Sequence, residues 1–307
     1  MPQTTRQRVT ALKTDARCAP DTILRGPPPV DRHGNPAQAV FLGAERVWLP
    51  QKPSQMPCPA GSTPRVASAD GKTTRWRCVS PDGTEHGPQI AWWSAPHTPK
   101  RIARLHRGQR DGLDCRFYAN GSRQSVTAWS AGRRDGRSSH WGERGQPTES
   151  GAFAAGKRDG SWLLWWPEPG AGPRKLVTYR RGVRHGAYAE WHKGGSLAYQ
   201  GRFEEGDEAG VWRAWYANGQ ARWAGRMRAG ERTGKWQRWH DNGQLWTVCG
   251  YKAGKKHGGW KMWSRSGEPV EQGEYARGKK AGHWTRWRKD GSVASKQTYP
   301  PRKAATP

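Results

Sequence analysis

The sequence predicts an all-β protein: an elongated single antiparallel sheet of about nine tandem 24-residue β-hairpins, preceded by an irregular N-terminal region. Three observations lead to this prediction. Glycine returns every 24 residues over most of the chain, aromatic residues return at fixed positions behind each glycine, and Asn-Gly dipeptides lie between aromatic-rich runs. A fixed period of about 20–50 residues is typical of repeat architectures.

The repeat is defined by the glycine that begins each unit. These glycines are Gly87, Gly112, Gly136, Gly160, Gly186, Gly210, Gly234, Gly258 and Gly282. With each glycine as position zero, position five is aromatic in every unit. We call this set the aromatic column: Trp92, Phe117, Trp141, Trp165, Trp191, Trp215, Trp239, Trp263 and Trp287. Rings that recur without exception at one position indicate an architecture rather than a compositional bias.

The first element of each unit is a short aromatic-rich strand that ends at a turn dipeptide such as Asn218-Gly219 or Asn242-Gly243. These dipeptides predict a type I′ turn, because both of its central residues need a positive φ. A second strand then leads to a Gly-x-x-x-Gly segment, as in "GKKHG" from Gly254 to Gly258. That segment predicts the return turn into the next unit.

A two-residue turn at positions eight and nine predicts a register in which paired positions sum to seventeen. Position two then lies opposite position fifteen, so that Trp212 pairs with Gly225 and each ring lies across a glycine. Position five has the other parity and faces the opposite side of the sheet, unless a bulge returns it. Two strands per unit advance the sheet by about 10 Å per repeat.

The N-terminal third has a different composition. Residues 1–53 are rich in proline and predict a poorly ordered arm. Residues 54–86 predict a small cap before the repeats, which span 87–305. Cys58 and Cys78 lie in the cap, and two readings stay open: a disulfide that staples the cap, or two free thiols in a reducing cytosol. The bonded form implies an extracytoplasmic protein, whereas the lack of an apolar leader indicates the cytoplasm.

Composition narrows the functional classes. The chain of 307 residues has a net charge of +28 and contains 20 tryptophans, and it has no apolar run long enough to predict a transmembrane segment. No nucleophile, metal-ligand or phosphate-loop motif occurs, so we expect neither an enzyme nor a cofactor. His86, His185 and His257 precede unit-starting glycines where other units carry aspartate, threonine or alanine, which indicates a structural role.

A basic residue stands two places before most of the unit-starting glycines. We call this set the cation row: Arg110, Arg134, Arg158, Arg184, Arg232, Lys256 and Lys280. The sequence places these residues in the return turns, along one edge of the sheet. Two interpretations stay open: a solvated ridge that keeps a β-protein soluble, or a surface for an anionic lipid or envelope polymer. No nucleic-acid motif accompanies it, so we do not expect sequence-specific nucleic-acid binding.

The aromatic column also leaves two interpretations. An open column suits peptide, glycan or cation–π contacts. Alternatively the sheet curls, or residues 1–86 cover the rings. The sequence does not decide between them.

The segment "GVWRAWYANGQARWAGRMRAGERTG" resembles the bacterial variant of the MORN repeat, a group often labelled as antitoxins of toxin–antitoxin systems. The likeness lies in the Gly-x-Trp-x-x-Trp-Tyr start, the Asn-Gly turn and the Gly-x-x-x-Gly close, and it covers about 87–299. It implies antiparallel hairpin repeats and a non-enzymatic interaction role. Choline-binding and glucan-binding repeats are also Trp- and Gly-rich, but their period is shorter and they lack the Gly-x-x-x-Gly close.

Two functional hypotheses follow from the sequence. The first is a non-enzymatic repeat scaffold that binds a protein partner, with an antitoxin as one version of it. The second is a peripheral binder of anionic membrane or cell-envelope polymers that uses the cation row.

Overall fold

The computed structural model describes residues 39–42, 45–48, 53–69, 72–93 and 98–300. The chain divides into two compact units, one ending at Arg133 and one beginning at Arg134. Most of the predicted arm, residues 1–53, lies outside the described residues. Over the part of the chain that the structure describes, the predicted all-β class with tandem antiparallel hairpins is confirmed, and no helix is long and apolar enough to cross a membrane.

The first unit is an antiparallel sheet in which most consecutive strands are paired, and β7 and β8 both pair with β6. A separate hairpin and a 3-10 turn at Pro53–Gln55 precede it; the hairpin strands are β1 (Ala39–Leu42) and β2 (Glu45–Trp48). The sheet consists of β3 (Thr63–Ala69), β4 (Lys72–Val79), β5 (Glu85–Trp92), β6 (Pro99–His106), β7 (Gln109–Arg110), β8 (Gly112–Phe117) and β9 (Arg123–Ser130). Because β4 pairs with β5, the predicted cap contributes its own hairpin to the sheet of the first repeats.

The second unit repeats the same hairpin with strands of seven to nine residues. Its strands are β10 (Arg133–Trp141), β11 (Pro147–Ala154), β12 (Lys157–Trp165), β13 (Pro173–Arg180), β14 (Val183–Trp191), β15 (Leu197–Glu204), β16 (Asp207–Trp215), β17 (Ala221–Arg228), β18 (Glu231–Trp239), β19 (Leu245–Lys252), β20 (Lys255–Trp263), β21 (Pro269–Ala276), β22 (Lys279–Trp287) and β23 (Val293–Tyr299). Each strand pairs antiparallel with the next one in the chain, so the main contacts of every repeat are with its neighbours.

The pairing within each hairpin follows the predicted register. In β16–β17, Trp212 lies opposite Gly225, which is the predicted pairing of positions two and fifteen. The register then shifts by one between Ala214 and Trp215, because Ala214 pairs with Trp223 and Trp215 pairs with Ala221. The extra residue is in the return strand. The first strand therefore alternates without interruption, and Trp215 faces away from Trp212.

The turn after the first strand differs from the prediction. In the repeat of β16–β17, the Gly219 N–H donates to the Tyr216 carbonyl at 2.9 Å, and Gly219 alone in this turn has a positive φ, +86°. The Asn218 side-chain oxygen accepts a hydrogen bond from the Gln220 N–H at 3.0 Å. The predicted type I′ turn at Asn-Gly is therefore wrong. Asn218 stabilises the turn because its side chain accepts this hydrogen bond, and its backbone is not left-handed.

The type I′ geometry occurs instead at the return turn. Ala229 (φ +47°) and Gly230 (φ +74°) connect the paired residues Arg228 and Glu231, and both have positive φ. Non-glycine residues occupy the first place of all eight such turns. They are Arg107, Ala131, Ala155, Arg181, Glu205, Ala229, Ala253 and Arg277. A left-handed backbone at such residues is uncommon, so neighbouring structure must support it.

Hydrogen bonds from one repeat to the next supply that support. The glycine of every return turn donates its N–H to the carbonyl two residues before the preceding unit-starting glycine, as Gly278 does to Lys256 at 2.8 Å. The Arg181 N–H donates to Asp159 Oδ1 at 2.9 Å. At the opposite edge, the Tyr216 hydroxyl donates to the Trp239 carbonyl at 2.9 Å. Both edges of the sheet are therefore tied from repeat to repeat.

Candidate functional site

Each hairpin of the second unit has two chemically different faces. We call the side that carries position two the ring face, and the side that carries positions three and five the column face. On the ring face Trp212 and Ala214 are buried, with exposed fractions of 4% and 1%. On the column face of the same strand Arg213 is exposed and Trp215 is half-buried. The alternation separates a packed surface from an accessible one.

The ring face is packed by tryptophans that lie on glycines. A Cβ atom built on Gly225 would be 2.1 Å from a ring carbon of Trp236, which belongs to the following hairpin. Rings therefore cover glycines, as predicted. The prediction is wrong about which ring, because each ring comes from the next repeat rather than from the paired position in the same repeat. The same contact joins Gly151 to Trp162, Gly201 to Trp212 and Gly273 to Trp284. Only glycine at position fifteen lets the ring of the next repeat pack directly against the backbone.

The burial of each position-two ring depends on the residue at position fifteen of the preceding repeat. Where it is glycine, the following ring is almost fully buried, as for Trp162 (1% exposed) and Trp236 (6%). Where it is Val177 or Cys249, the partner rings Tyr188 and Trp260 are only half-buried. Side chains at position fifteen thus hold the next ring away from the sheet. Burial also raises the pKa of the Cys249 thiol.

Some neighbouring rings contact each other nearly at right angles. Phe203 lies edge-on to Trp212 with 5.3 Å between ring centroids, and Tyr275 lies edge-on to Trp284 at 5.1 Å. The indole N–H of Trp236 donates to the Arg226 carbonyl at 3.2 Å. Edge-to-face pairs of this kind contribute about 0.5–1.5 kcal/mol beyond the area they bury. The ring face therefore serves as the hydrophobic core of the second unit.

The cation row lies on rings, in strands rather than in the turns where the sequence placed it. Lys280 Nζ is 3.8 Å from the centroid of Trp284, and Lys256 Nζ lies between Trp260 at 4.3 Å and Tyr275 at 4.7 Å. The other members stack in the same way: Arg110 on Trp129, Arg134 on Phe153, Arg158 on Trp162, Arg184 on Phe203 and Arg232 on Trp236. These side chains cover the ring face while their charged ends reach its surface.

Carboxylates reach some members of the cation row. Glu271 accepts a hydrogen bond from Lys280 Nζ at 2.8 Å, and Glu149 pairs with Arg158. In the first unit, Asp114 lies 3.7 Å from Arg110 and 2.7 Å from Arg101. The row is therefore partly neutralised, at particular repeats rather than along its whole length.

The aromatic column differs between the two units. In the first unit its members Trp92 and Phe117 are 7% and 1% exposed, and they share a core cluster with Met56 and Trp76. In the second unit all its members are half-buried; they are Trp141, Trp165, Trp191, Trp215, Trp239, Trp263 and Trp287. The same repeat position is thus covered by the chain's own N-terminal segment in one unit and stays accessible in the other.

A disulfide holds the covering segment of the first unit. Cys58 and Cys78 are bonded, with 5.5 Å between their Cα atoms. Cys78 is 1% exposed, and a Cβ atom built on Gly87 would meet Pro59 at 2.5 Å. The bond therefore fixes the strand that carries Trp76 to the segment that carries Met56.

In several units the residue before the unit-starting glycine accepts a hydrogen bond from the backbone of the next return turn. His86 Nδ1 accepts a hydrogen bond from the Arg107 N–H at 3.2 Å, and Asp159 does the same for Arg181. Aspartate and histidine exchange at this position because both offer an acceptor to the next return turn. Among the described residues, no group of three or more His, Cys, Asp or Glu side chains is placed to hold a metal ion.

An open cavity of about 730 Å³ lies on the first unit. Its lining includes Arg75, Trp93 and Lys100, and Lys100 Nζ is 4.5 Å from the Trp93 centroid. Arg75 donates to Glu85 at 2.9 Å, which neutralises one side of the cavity.

The sequence did not identify every residue that shapes these faces. Tyr199 and Trp223 at position thirteen extend the ring layer, with 6.1 Å between their centroids. His192 and Trp93 at position six contact the position-five carbonyl of the next repeat, at 3.1 Å and 3.2 Å. Alignment of the repeats shows a polar or aromatic side chain at position six in every unit except the one with Gly142, and this signal could have indicated the hydrogen bonds.

A protein-family model described as "MORN repeat variant" matches residues 232–253, which is one repeat across β18 and β19. Among curated proteins, none matches the sequence. Two solved structures are similar over part of the chain: TcdB2-TccC3 without its hypervariable C-terminal region, and TcdB2-TccC3-Cdc42. Each is 9% identical, with TM-scores of 0.20 and 0.15, and the matches cover 74% and 76% of this chain. They cover only 14% and 19% of those chains.

The matched residues include Arg232, Trp236, the Asn242-Gly243 turn and Tyr251. These are the residues that form the cation–ring contacts and the turns of one repeat. The match supports a MORN-type repeat at residues 232–253.

Proposed function

We propose that this chain is a non-enzymatic repeat scaffold that binds a protein partner on the column face of its second unit. One observation carries the proposal. The column position is covered by Met56 and Trp76 in the first unit, whereas its seven members in the second unit are half-buried rings. Rows of accessible aromatic rings are typical of protein interfaces, where tryptophan is enriched among the residues that dominate affinity.

The difference in packing between the two faces supports this function. The rings of the ring face are covered by neighbouring rings and by the cation row. Stability therefore comes from one face, and the rings of the other are available for contact. In such a scaffold several repeats contribute similar contacts, so affinity grows with the number of repeats engaged.

The test is co-purification from the native cell with tagged wild-type and variant proteins. The double variant Trp215→Ala, Trp239→Ala removes two neighbouring rings of the column. Val66→Ala is the control, because Val66 is 46% exposed on β3 of the first unit, outside the proposed surface. We expect a partner that the wild type and the control retain and the double variant loses. A partner retained equally by all three contradicts the proposed site. A co-transcribed toxin as that partner would support the antitoxin version.

A second candidate function, binding of an anionic lipid or envelope polymer, is favoured by the stacked cation row. Stacking on rings holds each charged group in place, as for Arg232 with 4.6 Å to Trp236, so less side-chain entropy is lost on binding. Each basic residue near an anionic bilayer contributes about 1 kcal/mol. The row is therefore a pre-ordered set of charges.

Vesicle binding separates this candidate from the first. Arg232→Gln with Lys256→Gln removes two members of the row. Arg228→Gln with Lys252→Gln removes two exposed cations from the neighbouring return turns and keeps the net charge equal. We expect the row variant alone to lose most binding to phosphatidylserine vesicles. Equal losses in the two variants indicate general charge attraction, and no binding by the wild type removes the candidate.

A further inference from the structure

The spacing of the aromatic column restricts what can lie along it. One repeat advances the sheet by two strands, which is about 10 Å. A polyproline II helix has three residues per turn and a rise of about 3.1 Å per residue, which is about 9 Å per turn. Side chains at every third residue of such a helix therefore match successive rings. Side chains on one face of a β-strand repeat about every 6.8 Å, which does not match this interval. An α-helix returns a side chain to one side every seven residues, about 10.5 Å, so the spacing alone does not exclude a helix. The non-helical segment that covers the same position in the first unit favours polyproline II.

The rings also offer unused donors. Among the described residues, no hydrogen bond has the indole N–H of Trp191, Trp215 or Trp239 as its donor. A polyproline II segment has no internal hydrogen bonds, so its carbonyls are available as acceptors. Indole groups beside a proline-rich ligand therefore supply both a flat apolar surface and a hydrogen bond to the ligand backbone.

The positive charge of the column face favours acidic residues between the prolines of the ligand. Arg213 and Lys261 lie two residues before Trp215 and Trp263, and both are exposed. Arg226, also exposed, pairs with Val211 in the adjoining strand and so lies on the same face. Carboxylates between the prolines would meet these cations, and the net charge of +28 favours an acidic ligand at longer range.

The first unit shows that the column position accepts a proline-bearing segment. Residues 56–59 read Met-Pro-Cys-Pro, and Met56 belongs to the core cluster that contains Trp92 and Phe117. Pro59 lies close against Gly87. The covering segment is therefore non-helical chain with an apolar residue directed at the rings and prolines on either side of Cys58.

We infer that the column face of the second unit binds an acidic segment in polyproline II conformation, with proline at every third residue. This inference rests on the proposed protein-binding function and names the chemistry of its partner. Successive prolines stack on Trp191, Trp215, Trp239 and Trp263, and the acidic residues between them face Arg213 and Lys261.

The test is fluorescence anisotropy with the full-length protein and a labelled peptide that carries proline at every third position and glutamate elsewhere. A scrambled peptide has the same composition with its prolines grouped, and a third peptide replaces glutamate with glutamine. We expect the periodic acidic peptide to bind at least about tenfold more tightly than either control peptide. The double variant Trp215→Ala, Trp239→Ala should lose this preference and Val66→Ala, in the first unit, should keep it.

Equal affinity for the periodic and scrambled acidic peptides overturns the inference, because charge alone then explains binding. Undetectable binding of the periodic peptide overturns it as well. If the peptide experiment fails but a co-purified partner still depends on Trp215 and Trp239, the proposed protein-binding function is retained and only the inference is rejected. If the periodic peptide shows no preferential binding and no partner depends on Trp215 and Trp239, both the inference and the proposed function are rejected. Circular dichroism of each variant confirms that the fold is retained.

Discussion

Trp236 lies directly on Gly225 of the preceding hairpin, where an added Cβ atom would be 2.1 Å from the ring. This contact couples two repeats, because the glycine belongs to β17 and the ring to β18. A methyl group on Gly225 must displace a ring that is 6% exposed. Successive hairpins therefore fit together through glycine and tryptophan in pairs.

Gly225→Ala should lower the free energy of unfolding by about 1–3 kcal/mol, since overpacking a closed site displaces its neighbours. Denaturant titration followed by circular dichroism measures the loss. Gly259→Ala is the control, because a Cβ atom there meets nothing within 4 Å. If both variants are equally stable, the ring does not rest on the glycine.

The cation–ring contacts predict a selective effect on stability. Lys256→Gln removes a charge that lies over Trp260 and Tyr275, and should lower the free energy of unfolding by about 0.5–1 kcal/mol. Lys255→Gln removes the same charge from the adjacent, exposed position and should change it by less than about 0.5 kcal/mol. A larger loss for Lys255→Gln in thermal unfolding would contradict the stacking.

The sequence predicted the period, the hairpins and the register, because glycine, aromatic and turn positions recur in every repeat. It misassigned the type I′ turn, since Asn-Gly is the stronger local signal for that turn than Ala229-Gly230. The left-handed backbone of the return turns is supported by bonds from the preceding repeat, such as Arg181 N–H to Asp159. Local propensity cannot show such a bond, because its partners lie 22 residues apart.

The two candidate faces were predictable to different degrees. Strand alternation correctly separated Trp212 from Trp215. It did not place the cation row, because Lys256 and its equivalents were assigned to turns, whereas the strands extend through them. Whether the column is covered also depends on the chain fold: Met56 reaches Trp92 only because the segment before β3 folds back over the first unit. No repeat pattern contains that information.

Alkaline pH should destabilise the second unit through Tyr188. Burial and the hydrogen bond to Glu190 raise the pKa of Tyr188 above its ordinary value near 10. Above about pH 10 the unfolded chain therefore releases a proton that the folded chain keeps, so stability falls as pH rises. Tyr188→Phe should make this fall shallower in denaturant titrations between about pH 9 and 11.

Tyr179→Phe provides the control for the alkaline titration. Tyr179 also lies on the ring face and contacts Arg158, and no carboxylate accepts from its hydroxyl within the described chain. The comparison separates loss of the hydroxyl that is bonded to Glu190 from loss of a ring-face hydroxyl in general. A steeper loss of stability in Tyr188→Phe than in the wild type would contradict the assignment.

Reduction of the Cys58–Cys78 bond should destabilise the first unit. The cysteines are 20 residues apart in the chain, and closing a loop of this length contributes about 3 kcal/mol in the chain-entropy model. Thermal unfolding with and without dithiothreitol measures the effect. The double variant Cys58→Ser, Cys78→Ser should resemble the reduced protein and show no further response. A wild type insensitive to the reductant would show that the bond does not stabilise the cap.

The central claim is that each hairpin uses one face for stability and the other for contact. Trp212 and Trp215 test it most directly, because they lie on opposite faces of β16 and are separated by two residues. The measurement is the free energy of unfolding of Trp212→Ala and of Trp215→Ala. We predict a loss of about 3–5 kcal/mol for Trp212→Ala, whose ring is 4% exposed. For the half-buried Trp215 we predict about 1–2 kcal/mol. Equal losses, or a larger loss for Trp215→Ala, would contradict the account.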